Sequence, residues 1–369
     1  MPGTLPPFRA DHVGSLLRPM ELREARAARA AGTMTAEALR AIEDRCIIDV
    51  VAQQKAIGLK AVTDGEFRRA FWHFDFLAKL GGVDMYESDQ GIQFKGGQTK
   101  AYGLKVTDRI SYKPHPFVQD FAFLAANAQG AVPKITIPSP SVLHFRGGRR
   151  AVDSHTYPEM DGFFADLGEA YAAAVADFAG VGCRYLQLDE VNIAYLCDPE
   201  QIAGLKARGE ETEGLLGKYA TLINRAIDAR PKDMVVSMHL CRGNFRSMHI
   251  ASGGYDPVAE VLFNGINVDA YFMEYDDERS GSFAPLRFLP KGKTVVLGLV
   301  TSKRGELETK ELLKRRLDEA AKYAPLDQLA ISPQCGFAST EEGNTLTVEE
   351  QWAKLSRCVE VAQEVWQSL

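Results

Sequence analysis

The stretch AYFME (residues 270–274) is apolar at nearly every position, and two nearby stretches, VVSMHL (235–240) and TVVLGLV (294–300), share this pattern. A strand with one solvated face alternates polar and apolar residues, whereas a parallel strand covered by helices on both faces is apolar almost throughout. Segments of helical periodicity lie between these stretches, which is typical of consecutive βαβ units. The sequence around residue 270 therefore predicts a buried parallel sheet in an α/β fold.

Strand-like segments of this kind recur along the 369 residues. There are eight of them, namely Arg9–Ser15, Lys60–Asp64, Lys134–Pro138, Tyr185–Asp189, Val235–Leu240, Ala270–Glu274, Thr294–Val300 and Leu329–Pro333. Eight parallel strands that alternate with helices predict a closed (β/α)8 TIM barrel. We expect residues 1–369 to form this barrel as a single domain.

The segments between the predicted strands have helical patterns with recognisable ends. Thr35–Ile57 is rich in Ala, Leu, Glu and Arg and is followed by Gly58, and Phe163–Ala179 has the same character. Thr347 stands three residues before Glu350, which predicts a capping box at the start of the last helix.

The interval between the second and third predicted strands, Phe76–Val132, is too long for one helix. Its glycine-rich start, GGVDMY and QGIQFKGGQTKAYG, predicts a hairpin or an extended loop, and VQDFAFLAANA in its middle predicts a helix. We expect residues 77–132 to form an insertion that covers the mouth of the barrel.

Composition and charge narrow the classes of partner. The hydrophobic fraction of 46% and charged fraction of 25% are ordinary for a soluble globular chain, and the net charge of -6 argues against nucleic acid. The polar start and the lack of a long apolar run predict neither a secretory leader nor a membrane span, so a cytoplasmic protein is expected. The six cysteines of the chain are scattered and should be reduced thiols or metal ligands.

The basic stretch Arg146–Arg150 predicts a solvated loop or, alternatively, a clamp for an anionic substrate tail.

The residues that carry chemistry stand at predicted strand ends. His239 and Cys241 end the fifth strand, Glu274 ends the sixth, and Cys335 follows the eighth. A His-x-Cys pair alone is weak evidence, but barrel enzymes place their active sites at the carboxyl ends of the strands, where these four would meet. Two thiolates, an imidazole and a carboxylate are suited to tetrahedral Zn²⁺.

The ligand types also indicate the reaction. Two thiolates and a carboxylate exceed the two positive charges of Zn²⁺ by about one, so such a site activates water poorly. Bound Zn²⁺ can nevertheless hold a substrate thiol as an electron-rich thiolate, although the pKa of a free thiol is about 8.5. The sequence thus favours alkylation of sulfur over hydrolysis.

Further polar and aromatic residues follow other predicted strands. They comprise Asp11, His12 and Ser15, then Asp64 and Glu66, then Asp189 and Glu190, with the aromatic run Trp72, His73 and Phe74 after the second strand. The carboxylates would bind the ammonium group of an amino-acid substrate or, alternatively, orient loops and nearby arginines. The aromatic run would be either a wall for a flat methyl donor or ordinary packing.

Several of these segments carry a family resemblance. RADHVGSLLRP, VTDGEFRR, LQLDE, MHLCRGN and SPQCGF, in this order, resemble the catalytic barrel of the cobalamin-independent methionine synthase family (5-methyltetrahydropteroyltriglutamate–homocysteine S-methyltransferases), in its short one-barrel branch. The resemblance runs from Phe8 to the last helix. It implies zinc ligands at His239, Cys241, Glu274 and Cys335, all of which are present.

The resemblance also implies a substrate and a reaction. It places the carboxylate of homocysteine at Val13, Gly14 and Ser15, and its amine at Glu66 and Asp189. The implied reaction is methyl transfer to the homocysteine thiol, which gives methionine.

Two departures from the family concern the methyl donor. The chain is expected to hold one barrel, whereas long members have a second that helps to bind methyltetrahydrofolate, and LGLVTSKRGE (297–306) lacks the family's proton-donating His. His12, His73 or Lys303 would then supply the proton. A methylcorrinoid or a sulfonium donor would need none.

Three other functions compete with this prediction. Similar one-barrel proteins join coenzyme M to epoxides, but its sulfonate would call for a basic site, whereas Glu66 and Asp189 favour an amino-acid thiol. A zinc- or thiol-binding protein without turnover is the second alternative. A metal-dependent hydrolase is the third, although Asp11-His12-Val13 stands where such barrels have His-x-His.

Overall fold

A computed structural model describes residues 5–89, 91–99 and 102–367, and its central feature is a parallel sheet. In chain order the strands of the described residues are β1 Ala61–Val62, β2 Gly81–Glu87, β3 Gln93–Phe94, β4 Gly97–Gln98, β5 Tyr102–Ser111, β6 Val132–Pro133, β7 Ile135–Pro138, β8 Tyr185–Glu190, β9 Val235–Leu240, β10 Ala270–Glu274, β11 Thr294–Val300 and β12 Leu329–Pro333. The last six form one sheet in the order β7 to β12, and all its neighbours are parallel. The predicted α/β class with a buried parallel sheet is therefore confirmed.

Helices connect these strands. They are α1 Met20–Ala30, α2 Ala36–Ala56, α3 Phe74–Leu77, α4 Pro116–Asn127, α5 Ser141–Phe145, α6 Met160–Gly180, α7 Asn192–Tyr195, α8 Pro199–Ala207, α9 Leu215–Ile227, α10 Ala259–Gly265, α11 Lys310–Ala320 and α12 Val348–Trp366, with short 3-10 turns at Gly148–Ala151, Glu278–Ser280, Ala284–Phe288 and Leu326–Gln328. Thr35 caps α2, and Thr347 and Glu350 form the predicted capping box of α12. Within the described ranges, no helix is both long and apolar enough to cross a membrane.

The first predicted strand, Arg9–Ser15, is not a regular strand. Among the described residues it makes one parallel bridge, from Ala10 to Ile331 of β12. The carboxylate of Asp11 accepts hydrogen bonds from the backbone N–H groups of Phe8 (3.4 Å) and His12 (2.7 Å). Such local bonds compete with a strand ladder, which is the physical reason why the prediction was wrong here.

The second predicted strand is shorter than Lys60–Asp64. Its regular part, β1, pairs with β6. At the next residue, Thr63, the side chain of Gln54 forms the hydrogen bonds that a neighbouring strand would otherwise form. Gln54 accepts a hydrogen bond from the backbone N–H of Thr63 (2.9 Å) and donates one to its carbonyl (2.8 Å). A side chain thus satisfies the backbone where we expected a ladder to continue.

The segment between β1 and β6 contains the predicted hairpin-like and helical parts. β2 pairs with β5, β3 pairs with β4, and both pairs are antiparallel. The ring of Phe94 at the end of β3 lies 5.4 Å from that of Phe245 in the loop after β9. The β3–β4 hairpin therefore contacts the loops at the carboxyl end of the sheet.

A buried cation joins the segment before α1 to the middle of the sheet. The Nζ atom of Lys134, between β6 and β7, lies 3.3 Å from Oδ1 of Asp11, and both side chains are fully buried. Tyr185 donates a hydrogen bond to the other oxygen of Asp11 (2.8 Å). Burial lowers the pKa of Lys134, and the charge of Asp11 opposes this shift. Each charge makes burial of the other tolerable.

Replacing Lys134 by Met should therefore lower the free energy of unfolding by about 3–5 kcal/mol, because the Asp11 carboxylate would stay buried without its cation. Urea denaturation followed by circular dichroism measures this change. Lys60→Met at the exposed residue before β1 is the control and should shift it by less than about 0.5 kcal/mol. Equal stability of the two variants would contradict the prediction.

Candidate metal centre and substrate pocket

The four predicted metal ligands meet at the carboxyl end of the sheet. His239 lies in β9, Cys241 directly after it, Glu274 at the end of β10 and Cys335 two residues after β12. One ligand atom from each lies within 4.8 Å of all the others, and all four residues are buried. The fold thus brings together the residues that the sequence singled out.

A close approach of β11 to the chain after β12 supports this arrangement. Gly298 in β11 pairs with Glu274, and a Cβ atom on Gly298 would lie 2.7 Å from Cα of Gln334. A side chain at this position would push the segment that carries Cys335 away from Glu274. The absence of a side chain at Gly298 therefore helps to set the spacing of the cluster.

The two cysteines differ in their tendency to ionise. Their Sγ atoms are 3.5 Å apart. The hydrogen bond from Cys241, followed by the influence of the nearby His239, holds the pKa of Cys335 well below its usual range. The same bond to Cys335, together with burial, raises the pKa of Cys241 well above its usual range. Together the pair is suited to hold one proton and one negative charge.

His239 presents one ring nitrogen to the cluster. Its Nδ1 atom lies 3.3 Å from the carbonyl oxygen of Phe272, whereas its Nε2 atom is buried and has no hydrogen-bond partner among the described residues. A backbone carbonyl at one nitrogen of a histidine fixes the tautomer that leaves the other nitrogen free to bind a metal.

Polar groups hold Glu274 in place. Gln334 donates a hydrogen bond to Oε1 (3.0 Å), and Arg279 donates one to Oε2 (3.4 Å). Burial raises the pKa of Glu274, but Arg279, Lys303 and Arg242 outweigh it, so that the pKa is lowered overall. The carboxylate therefore stays ionised inside the protein.

The side chains that position Glu274 were not among the predicted site residues. Ser302 donates a hydrogen bond to Oε1 of Gln334 (2.9 Å), and Asn244 donates one to Ser302 (3.3 Å). Gln334 stands beside Cys335 in the sequence and was detectable as a neighbour of a ligand. Ser302 had no such clue, and it lies in the segment where the family's His is lacking.

A cavity of about 50 Å³ connects the metal cluster with the predicted substrate residues. Its lining includes His239, Cys241 and Cys335 together with Val13, Ser15, Glu66 and Asp189. The structure thus brings both predicted groups of residues to one cavity. Its lining also includes Tyr195 and Asn244, which were not predicted as site residues, and Arg146, for which a substrate clamp was one of two alternatives.

The backbone of Val13, Gly14 and Ser15 is held tightly at this cavity. Gly14 has a φ of 143°, and a Cβ atom there would lie 2.7 Å from the side chain of Thr136. Its carbonyl accepts a hydrogen bond from Thr63 (2.6 Å). Any residue other than glycine would therefore displace Ser15 from the cavity.

Glu66 and Asp189 form an acidic pair in the same lining. Oε1 of Glu66 accepts a hydrogen bond from Thr136 (2.8 Å), whereas its buried Oε2 has no partner among the described residues. Burial, and next the charge of Glu66, raises the pKa of Asp189 to about 7. Burial also raises the pKa of Glu66, against the charge of Arg69. An unpartnered carboxylate oxygen beside a second carboxyl group suits an ammonium ligand.

The predicted donor-side residues separate into two groups. Trp72 and His73 line the cavity, and their rings lie 4.5 Å apart. His12 and Lys303 are not part of its lining. His12 instead lies near Lys134, Asp11 and Gln54, none of which lines the cavity. Nζ of Lys303 lies 3.3 Å from the carbonyl oxygen of Gly243, which does line the cavity.

Fold and site together define an α/β protein with a buried His–Cys–Glu–Cys cluster beside an acidic pocket. The family described as "Cobalamin-independent synthase, Catalytic domain" matches residues 8–364. YxjG of Bacillus subtilis is 52% identical over 362 residues, which cover 98% of this chain and 95% of YxjG. The methionine synthase of Saccharolobus solfataricus is 24% identical over 343 residues, with 90% and 89% covered.

One solved structure is similar over almost its whole length. It is a candidate vitamin-B12-independent methionine synthase from Listeria monocytogenes, with 41% identity, a TM-score of 0.80, and coverage of 98% of this chain and 99% of that one. The chain belongs to the cobalamin-independent methionine synthase family, in its short form. This family indicates a methyltransferase, as the resemblance implied.

The raised pKa of Asp189 predicts a pH dependence of stability. Between about pH 4 and 7 the folded state holds a proton at Asp189 that the unfolded state releases, so stability falls as the pH rises through this window. Asp189→Asn should reduce that fall by on the order of 2–4 kcal/mol in metal-free protein. Urea denaturation at pH 4.5 and 7.5 measures it.

The exposed Glu213→Gln variant serves as the control and should keep the pH dependence of the wild type. An unchanged pH dependence in Asp189→Asn would show that Asp189 is ionised throughout this range.

Proposed function

We propose that the protein transfers a methyl group to the thiol of homocysteine, forming methionine, with Zn²⁺ held by His239, Cys241, Glu274 and Cys335. The observation that carries the proposal is the convergence of these four ligand atoms within 4.8 Å, with His239, Cys241 and Cys335 also lining the pocket. Homocysteine has a thiol, an ammonium group and a carboxylate, and the pocket offers a matching group for each.

The donor set fits Zn²⁺. The free Nε2 of His239, a cysteine pair in which Cys335 ionises readily and a carboxylate kept ionised provide ligand types suited to this metal. When bound, Zn²⁺ supplies the positive charge that keeps a substrate thiol in its thiolate form at neutral pH.

The chain's own residues would orient the amino-acid part of the substrate. Glu66 and Asp189 would accept hydrogen bonds from the ammonium group, and their negative charge selects for it. The backbone at Val13–Ser15 and the hydroxyl of Ser15 would hold the carboxylate. Fixing both ends of the substrate leaves its sulfur at the cysteine pair, where attack on a methyl group can be in line.

The methyl transfer itself replaces one bond by another. A bond forms between sulfur and the methyl carbon while the bond from that carbon to the donor breaks, and the donor keeps the electron pair. The thiol proton leaves before this step. Proposed donors are methyltetrahydrofolate and a methylcorrinoid.

We also propose that residues 1–369 form one (β/α)8 barrel with an insertion at about 77–132, although residues 1–4, 90, 100, 101, 368 and 369 lie outside the described part. In support, Ala10 bridges to β12, and Leu16 donates a backbone hydrogen bond to Gly65 (3.0 Å) after β1. The bridge at Ala10 lies at the β12 edge of the six-stranded sheet, and the bond from Leu16 links the same segment to the chain just after β1.

The alternative acceptor, coenzyme M in an epoxide-type lyase, fits the pocket less well. Its sulfonate would lie beside Glu66 and Asp189, and it has no ammonium group to offset their charge. Arg69 lies 3.6 Å from Glu66 but also donates hydrogen bonds to Thr136, so it is already engaged.

Metal content tests the ligand assignment. We expect about one Zn²⁺ per wild-type chain and loss of most of it in Cys241→Ala and Cys335→Ala, because each variant removes a thiolate ligand. Elemental analysis after dialysis measures this. Cys46→Ala, at a buried cysteine of α2, should retain the metal. Full retention in both ligand variants would refute the assignment.

The acceptor is tested with Co²⁺ in place of Zn²⁺. Homocysteine should add a sulfur ligand and intensify the thiolate charge-transfer band, whereas coenzyme M should do so at about tenfold or higher concentration. Glu66→Gln should weaken the response to homocysteine by about tenfold and change that to coenzyme M little, because it removes one charge-assisted hydrogen bond. Tighter binding of coenzyme M to the wild type would favour the lyase. A parallel methyl-transfer assay with each donor completes the test.

A further inference from the structure

Another cavity lies beside helix α1, and we call it the α1 cavity. Its volume is about 330 Å³, at the lower end of the range for small-molecule sites. The described residues that line it are Arg18, Arg23, Arg26, Ala27, Ala30 and Glu341. None of them belongs to the lining of the substrate cavity, so the two spaces are distinct.

Positive charge dominates the α1 cavity. Three arginines line it, whereas the described residues contribute a single carboxylate, that of Glu341. Burial, and next the charge of Arg26, lowers the pKa of Arg18 to about 10, so the two guanidinium groups repel each other. A space in which guanidinium groups outnumber carboxylates attracts anions.

Arg18 is buried, and backbone groups hold its guanidinium. Its two Nη atoms donate hydrogen bonds to the carbonyl oxygens of Glu66 (2.9 Å), Arg69 (2.7 Å), Ala338 (3.5 Å) and Thr340 (3.0 Å). The remaining N–H, at Nε, is buried and has no hydrogen-bond partner among the described residues. Carbonyl oxygens fix a guanidinium without neutralising it, and a buried cation without a counter-ion is costly.

The arginines of α1 are also incompletely paired. Arg26 lies 3.5 Å from Oε1 of Glu43 and 3.4 Å from Oε2 of Glu341, whereas strong charge-assisted hydrogen bonds are about 2.7–2.9 Å long. Its Nε atom is buried and makes no hydrogen bond within the described part of the chain. Arg23, three residues earlier on α1, is exposed and faces the same cavity. Donors for an anion are therefore present on both sides of the space.

We propose that Arg18, Arg23 and Arg26 bind a phosphate group, either as the free ion or as part of a small phosphate ester. One arginine fork satisfies a planar carboxylate, whereas three guanidinium groups suit a tetrahedral dianion that accepts hydrogen bonds from several directions. The small side chains of Ala27 and Ala30 leave room beside the phosphate for the rest of an ester.

This site would lie behind one wall of the substrate cavity. Arg18 joins the backbone at Glu66 to that at Thr340, and both of these residues line the substrate cavity. The four predicted metal ligands are not part of the α1 cavity. Binding of phosphate there would therefore require neither the metal nor either substrate of the proposed reaction.

Phosphorus NMR of inorganic phosphate with the zinc-loaded full chain tests the site. The phosphate signal should broaden saturably, with a dissociation constant of about 1 mM or lower. The metal-free chain should give the same broadening, which separates this site from phosphate bound at zinc.

Variants assign the binding to the arginines. Arg23→Gln and Arg26→Gln should each weaken it about fivefold or more, because each loses a charge-assisted hydrogen bond. Glu341→Gln should tighten it about threefold, since this carboxylate competes for Arg26. The exposed Arg29 of α1 does not line the cavity, and Arg29→Gln is the matched control that should bind as the wild type does. Circular dichroism checks that each variant is folded, and the exposed position of Arg23 keeps the test decisive.

Methyl phosphate and citrate are the further probes. Tighter binding of methyl phosphate than of phosphate identifies an ester as the ligand, and the reverse order identifies the free ion; either supports the proposal. The proposal is overturned if the phosphate signal does not broaden saturably, if either Arg23→Gln or Arg26→Gln binds as tightly as the wild type, or if Arg29→Gln loses as much affinity as they do. Displacement showing that citrate binds more tightly than both phosphate probes would also overturn it.

Discussion

The structure depends on keeping a cluster of ionisable side chains together in the buried interior. Two thiols, a carboxylate and an imidazole lie within 4.8 Å, and their residues are buried. Burying like charges so close together is unfavourable unless opposite charges compensate them. Here Arg242 and Arg279 approach Glu274 to within 3.9 and 3.4 Å. A central divalent cation would add to this compensation and would favour ionisation of both thiols.

The electrostatics of the pocket change along its length. At its inner end the ligand cluster and the pair Glu66 and Asp189 are acidic, and farther out Arg146 and, in an adjoining space that it also lines, Arg208 are basic. An ammonium group would be favoured at the inner end, whereas an anionic group would be favoured farther out. Opposite charges at the two ends would therefore hold an ammonium group at the inner end.

The sequence predicted features that depend on local pattern and on strand order. β9 to β12 were predicted with the bounds that the structure has, because buried parallel strands are apolar throughout, and the ligands followed because strand ends converge. Arg9–Ser15 was predicted as a strand on the same logic but is irregular, since Asp11 occupies the backbone groups that a ladder would use. The contribution of Gln334, Ser302 and Arg279 depends on contacts between distant loops, which no local pattern records.

The requirement for a proton at the departing donor group is distinct from the requirement for donor binding. Burial lowers the pKa of His12 to about 4 and, with the charge of Arg146, that of His73 well below its usual value, so both rings are neutral at pH 7. A neutral imidazole is a poor acid in this range. Of the predicted proton donors, Lys303 lies near the ligands, where its charge opposes the raised pKa of Cys241, but it lies behind the lining of the cavity. His73, which lines the cavity as a neutral ring, would therefore protonate a departing donor group poorly, so a donor that needs no proton would suit this site better than one that does.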